Sequence, residues 1–278
     1  MAARLRPDRI SLLVSDIDGT LVTKEKALTE RTRDAVRRLH AAGIAFTLIS
    51  SRPPRGLRWL IEALDVTAPI AGFNGGMIAT PDLAPIEQHL IPPDVARRAV
   101  DLLSRNGARV WVFSGKEWIL NDPTGPYIDL EERTVRFPPT IVDDFGAALD
   151  SAAKIVGVSD DFPLLAQLET STREALGDTA TVARSQRYYL DVTHRAANKG
   201  TAITLLARCL GIEASRIATI GDGANDVAMF KESGLSIAMG NAEPEVKAAA
   251  DLVTGSNDAD GFAEAVERHL LAAGRETR

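Results

Sequence analysis

The apolar run "LLVSDIDGTLV" ends in two aspartates, Asp16 and Asp18, one residue apart. Like charges that close repel, and a strand end is a poor place to lose water from either. An unpaired buried carboxylate needs a partner or a shifted pKa. Three more polar clusters follow apolar runs in the same way. Ser50, Ser51 and Arg52 follow "IAFTLI", Asn74, Gly75 and Gly76 follow "APIAGF", and Asp222, Asn225 and Asp226 follow "RIATIG". Asp16, Asp18, Asp222 and Asp226 together would hold too much negative charge without a cation. Hard oxygen donors with no histidine or thiolate beside them point to Mg²⁺ rather than zinc. Lys199, at the start of a helical pattern, and Arg52 add fixed positive charge. Such a site suits a second anion, and phosphate is the natural candidate. Serine hydroxyls and glycine turns supply donors that can approach it closely.

These clusters work as one site only if the chain brings them together. "ISLLVS" and "IAFTLIS" read as short buried parallel strands, and "APIAGFNGG" as a third strand with a glycine-rich turn. Between them lie two helices. "LTERTRDAVRRLHAAG" places Ala35, Val36 and Leu39 on one face with Gly43 as a stop, and "PPRGLRWLIEALD" opens on prolines. After "HRAANKG" the alternation resumes. A helix from about Lys199 to Leu210 leads to "RIATIGDG", "ANDVAMFKES", "LSIAMGNA" and "EPEVKAAA" as strand, helix, strand, helix. The expected fold class is α/β, with a Rossmann-like parallel sheet as core. In such sheets ligands bind at the carboxyl ends of the strands, so four distant segments would converge on one pocket.

Residues 84–191 read differently. A helix at "PPDVARRAVDLLSRNG" is followed by paired strands "ARVWVFSG" and "EWILND". Then "AAKIVGVS", "DFPLLAQLETSTREALG", "TATVARS" and "RYYLDVT" give strand, helix, strand, strand. That pattern predicts an inserted α+β unit splitting a core of residues 1–83 and 192–278. Two connections to the host would suit hinged opening over a site.

The 278 residues are 45% hydrophobic and 25% charged, enough for a real core. A net charge of −6 argues against nucleic acid or an anionic membrane surface as partner. The single cysteine, Cys209, excludes an internal disulfide and a multi-cysteine zinc site, and its helical spacing reads as a core thiol. No apolar run has the length of a membrane span. The start "MAARLRPDR" has no apolar segment of a secretory signal, so a cytoplasmic protein is expected.

In order and spacing these motifs resemble the haloacid dehalogenase (HAD) superfamily of phosphohydrolases. "DIDGT" matches its nucleophile motif, "LISSR" its second motif, "NKG" its lysine motif, and "GDGANDVAMF" its acidic motif. The insert and the tail "IAMGNAEPEVKAAADLVTGSNDADG" are similar to the Cof-type (type-IIB cap) branch. The resemblance implies a role for each residue. Asp16 would be the nucleophile forming an aspartyl-phosphate, and Asp18 the general acid and then the base. Ser50 and Lys199 would bind the phosphoryl group, with Gly19, Ser51, Arg52, Asn74, Gly75 and Asn225 around it. Mg²⁺ would be held by Asp16, the Asp18 carbonyl and Asp222, with Asp226 in support. The chain departs from the pattern at Ser51, which brings a Cβ where glycine is usual.

The expected function is a Mg²⁺-dependent phosphatase of small phosphorylated metabolites, foremost sugar phosphates, acting as a monomer or homodimer. A phosphosugar mutase and a non-catalytic phosphometabolite-binding regulator are the alternatives. A calcium loop fails at Asp18-Gly19 for want of a glutamate at the required spacing. Gly221 and Gly223 begin a dinucleotide fingerprint, but Asp226 replaces its last glycine. His194 reads as a surface or structural residue, and Trp111, Trp118, Tyr188 and Tyr189 as core or sheet packing.

Overall fold

The computed structural model describes residues 10–271. The basic stretch 1–9, read above for a signal, lies outside the described residues.

The chain opens with β1 (Leu12–Ser15), α1 (Glu30–Ala41) and β2 (Ala45–Leu48). The Thr29 side chain caps α1 by accepting from the Thr32 N–H, and Ala35, Val36 and Leu39 are fully buried. The second predicted helix is shorter than its pattern. A 3₁₀ turn, Pro54–Leu57, precedes α2 (Arg58–Ala63). The third strand keeps the parallel reading at one bridge alone. β3 (Ile70–Gly72) meets the parallel sheet only through the bridge Ile49–Ala71. It pairs instead, antiparallel, with β4 (Met77–Ala79), which pairs with β5 (Pro85–Gln88). Positive φ at Phe73, Asn74 and Gly75 turns the chain back at that point.

Next come α3 (Pro93–Arg105), β6 (Arg109–Ser114), β7 (Glu117–Leu120), α4 (Ile128–Val135) and β8 (Thr140–Ile141). They are followed by β9 (Ala152–Val158), α5 (Phe162–Leu176), β10 (Ala180–Gln186) and β11 (Tyr189–His194). The chain then returns through α6 (Lys199–Leu210), β12 (Ile217–Gly221), α7 (Val227–Glu232), β13 (Leu235–Ala238), α8 (Pro244–Ala249) and β14 (Leu252–Val253).

The core sheet is parallel throughout, in the order β14-β13-β12-β1-β2. Alternation along β1 makes it the middle of three layers. Leu13 faces the α1 side with Val36 and Leu39, while Leu12 and Val14 face Ile203 and Leu206 of α6. The second sheet, β10-β11-β9-β6-β7-β8, is built wholly from residues 109–194. Val110, Val112, Ile155, Leu190 and Val192 pack on one of its faces under α3 and α5. Trp111, Phe113, Val156 and Tyr189 on the other face join the apolar cluster of Leu57 and Phe73. The fold is therefore α/β, with a Rossmann-like parallel sheet and a second α+β layer packed over one end.

Two local readings need correction. Cys209 is exposed, because the last turn of α6 runs past the apolar layer and Leu210 there is only partly buried. Helix α4 carries no pattern that announced it. Its cap residue Tyr127 has φ 64° and no side-chain cap, and Val135 is its one buried residue.

Candidate active site

Asp16 stands one residue beyond β1, where the parallel sheet ends. Its backbone N–H donates to the Ile220 carbonyl of β12, which fixes the residue at the sheet edge. Lys199 opens α6, whose cap residue Asn198 accepts from the Thr201 N–H at 2.9 Å. The Lys199 ammonium lies 2.6 Å from Asp16 Oδ1 and 2.6 Å from Asp226 Oδ1. The second oxygen of Asp226 accepts from the backbone N–H groups of Asp222, at 2.9 Å, and Gly223, at 2.8 Å. Asp226 is therefore fully engaged within the protein. Asp222 Oδ1 accepts from the Thr20 hydroxyl, and its Oδ2 from the Asn241 amide. Gly19 sits against this carboxylate with φ 81°, and a Cβ there would lie 2.2 Å from Asp222 Oδ2. Glycine is required at that position on both counts.

Carboxylate oxygens of Asp16, Asp222 and Asp226 lie within 4.8 Å of one another. Three carboxylates against one ammonium leave a formal charge of −2, which a divalent cation would balance. The donors are all hard oxygens, and the residues present fit Mg²⁺ or a similar ion. The protonation energetics agree. Burial raises Asp16, Lys199 opposes this, and Asp226 and Asp222 raise it further, to about 8. Burial and Asp226 raise Asp222 to about 6.

A pH prediction follows for the metal-free protein. Asp16 and Asp222 bind protons in the folded state that the unfolded chain has released, so their contribution to stability is lost as pH rises. His194 and His269 are lowered by burial and act in the opposite sense below about 6.5. Asp18 is depressed and Lys199 raised, so neither changes state near neutrality. Between about pH 6.5 and 8 the melting temperature in chelator should fall, and excess Mg²⁺ should remove the slope. The same fall in Asp16→Asn would show that Asp16 is not its cause.

Asp18 occupies a different environment. Burial pushes its carboxyl up, but Arg52 and Lys26 outweigh this and hold it well below the usual carboxylate range. Arg52 donates to both oxygens, from Nε at 2.7 Å and NH2 at 2.6 Å, and Lys26 Nζ lies 2.6 Å from Oδ1. A third Arg52 donor reaches the Thr134 carbonyl on α4 at 2.9 Å. Arg52 thus ties the end of β2 to the second α+β layer.

The remaining predicted residues divide. Ser50 is buried, and its hydroxyl accepts from the Arg52 N–H. Ser51, Asn74 and Asn225 line a cleft of about 270 Å³ together with Asp16, Asp18 and Asp222. The Asn225 amide donates to Asn74 Oδ1 at 3.0 Å, joining two of the loops. Gly75 packs against α6, where a Cβ would lie 2.7 Å from the Asn198 carbonyl oxygen. Sequence reasoning missed Thr20, Lys26 and Asn241. Thr20 closes the "DIDGT" motif and Asn241 lies in the tail quoted above, but neither was given a role, and Lys26 lies in no motif. It also missed the far wall of the cleft, where Thr181, Asp191 and Thr193 alternate with buried apolar residues along β10 and β11. A charge at an alternate position of "YLDVT" was the available signal. Trp118 is fully buried, as core packing requires, whereas Trp111, Tyr188 and Tyr189 also line the space beside Asp18.

A carboxylate cluster with its lysine at the carboxyl end of a parallel sheet fits a hydrolase of phosphate monoesters. The chain belongs to the haloacid dehalogenase superfamily, in its Cof-type branch: a family model described as haloacid dehalogenase-like hydrolase matches residues 13–266. It is similar to a 5-amino-6-(5-phospho-D-ribitylamino)uracil phosphatase of Bacillus subtilis, at 26% identity over 94% of this chain and 96% of that one. A pyridoxal phosphate phosphatase of Escherichia coli is 25% identical over 94% and 98%. Among solved structures, a haloacid dehalogenase-like hydrolase from Bacteroides thetaiotaomicron superimposes with a TM-score of 0.85 at 30% identity. It covers 93% of this chain and 99% of that one. Among the described residues, no helix is long and apolar enough to cross a membrane.

Proposed function

We propose that the chain is a Mg²⁺-dependent phosphatase of small phosphorylated metabolites, foremost sugar phosphates, that works through an aspartyl-phosphate on Asp16. The observation that carries this reading is the contrast between the two aspartates in one cleft. Asp16 Oδ1 is held by Lys199 in a cluster short of positive charge, while Asp18 stands apart, paired with Arg52 and Lys26.

Asp16 attacks phosphorus with the oxygen that Lys199 does not hold, and the P–O bond to the leaving group breaks. Asp18 gives a proton to the departing alkoxide, then takes one from the water that cleaves the aspartyl-phosphate. The base form of Asp18 is the one that Arg52 and Lys26 stabilise. The acid form requires these cations to turn towards the incoming phosphate. Lys199 neutralises charge on the phosphoryl oxygens, and Ser51 and Asn74 offer donors from the cleft wall. Mg²⁺, held by Asp16, the Asp18 carbonyl and Asp222 and supported by Asp226, would supply charge neutralisation and in-line orientation. Residues 84–191 act as a cap that covers the site and selects the leaving group, a role supported by the shared cleft and the Arg52–Thr134 link.

The test is phosphate release from a panel of phosphorylated metabolites. Turnover is expected with Mg²⁺ and lost in chelator. Isomerised product without free phosphate would favour a mutase, and tight binding without turnover a regulator.

A further inference from the structure

One buried group on the far wall of the cleft has no work to do in the reaction above. Lys154 on β9 and Asp191 on β11 form an ion pair, Nζ to Oδ2 at 2.6 Å, with side chains 9% and 7% exposed. The ammonium engages Oδ2, while Oδ1, also buried, has no hydrogen-bond partner. Tyr189 stands in the same lining as Lys154. Its hydroxyl is buried beside the Glu131 carboxyl.

The sheet sets where these groups point. Asp191 pairs with Val156 and Thr193 with Lys154 across β11 and β9, and Phe113 pairs with Lys154 across β6 and β9. Side chains alternate along each strand, so Lys154 and Asp191 share one face while Ile155, Leu190 and Val192 pack on the other. The shared face is the one that looks towards the parallel sheet. Asp191 lines the cleft that holds Asp16, Asp18 and Asp222, and Lys154 lines the adjoining space beside Asp18 with Glu131 and Tyr189.

A buried ion pair seldom repays its desolvation, and apolar residues of like volume would serve the fold as well. An unpartnered buried carboxylate oxygen costs more still. Val156 on the same face, directly across from Asp191, offers the carboxylate no donor. The pair makes sense if a ligand completes it. Asp191 only accepts and Lys154 only donates. A hydroxyl does both, so adjacent hydroxyls can satisfy the two together. The pair is neutral as a unit, and Glu131 lines the same space as Lys154. A second anion on the leaving group would therefore meet open carboxylate lone pairs.

We propose that Lys154 and Asp191, with Tyr189 beside them, form the subsite that reads hydroxyls on the leaving group, selecting uncharged polyol monophosphates over esters that carry a carboxylate. This rests on the phosphatase reading and deepens it to a substrate class. The similar Bacillus subtilis phosphatase is named for a substrate with a ribityl chain, which is of that class.

The experiment compares kcat and KM for a sugar monophosphate, its deoxy analogue, a phosphorylated hydroxy acid and p-nitrophenyl phosphate, each with Mg²⁺. The variants are Asp191→Asn, Lys154→Met and the double replacement Lys154→Met with Asp191→Leu. Wild type should prefer the sugar ester over its deoxy analogue and over the hydroxy acid. Each variant should lower the ratio of kcat/KM for the sugar ester to that for p-nitrophenyl phosphate about tenfold or more, mainly through KM. The double variant leaves no lone buried charge, so it guards against a single variant that fails to fold. An unaltered ratio in a folded double variant would reduce the pair to a structural role and overturn the proposal. So would a wild type blind to the missing hydroxyl, while phosphate release itself would still uphold the phosphatase. No release from any ester, p-nitrophenyl phosphate included, would overturn both.

Discussion

Asp16→Asn is expected to lower kcat/KM by at least about 10⁴-fold on every phosphate ester, because no other group can form the covalent bond. The structure explains why the fold should survive the change. Asparagine is isosteric, and its amide oxygen can still accept from Lys199, which sits 2.6 Å from Asp16 Oδ1. Lys199 also keeps its second partner, Asp226. Asp16 carries a cost of burial and repulsion from Asp226 and Asp222. Its neutral replacement should therefore melt no lower than wild type in chelator near pH 8. Steady-state phosphate release and thermal melting measure the two halves. A variant keeping a tenth of wild-type activity would sink the nucleophile assignment.

Asp18→Asn should separate substrates by leaving group. An amide cannot protonate an alkoxide, and well-placed acid catalysis is typically worth about 10²–10⁴-fold. Phosphorylation by a sugar phosphate should slow by that amount. A nitrophenolate leaves without a proton, so its first step should suffer far less. Hydrolysis of the aspartyl-phosphate still needs the base, so intermediate should accumulate and appear as a burst. The surroundings of Asp18 sharpen the expectation. Arg52 and Lys26 hold its carboxyl well below the usual range, opposing burial. The variant leaves Arg52, 5% exposed, without its charged partner, while its contact to the Thr134 carbonyl remains. A drop of a few degrees in melting temperature is expected, alongside the kinetic defect. Equal slowing of phosphorylation for both leaving groups would contradict the acid role.

Much of this architecture was legible in the sequence, for local reasons. Buried parallel strands are short apolar runs, and polar residues crowd at their carboxyl ends because the core stops there. That places Asp16, Asp18 and Asp222 at one edge. Helical spacing of apolar residues marked α1 and α6, and α6 delivers Lys199. The third strand at Ile70–Gly72 keeps one parallel bridge to the core sheet, at Ile49–Ala71, and the left-handed backbone at Asn74 then turns the chain into antiparallel pairing with β4. Helix α4 was silent because its neighbours, not its own pattern, hold it.

Other features depended on tertiary structure alone. Arg52 meets Asp18 from 34 residues away, and Asn241 donates to the Gly19 carbonyl from 222 away. Lys26 reaches Asp18 from a residue with φ 63° that no motif contains. The sequence could place Lys154 and Asp191 on strands but not say which face would look into the cleft. Strand parity within a chain is local, whereas the parity that matters is relative to another sheet. Local patterns determine where an element begins, ends and buries a side. The partners of a charged group depend on how separate elements pack, and that is set by the whole core at once.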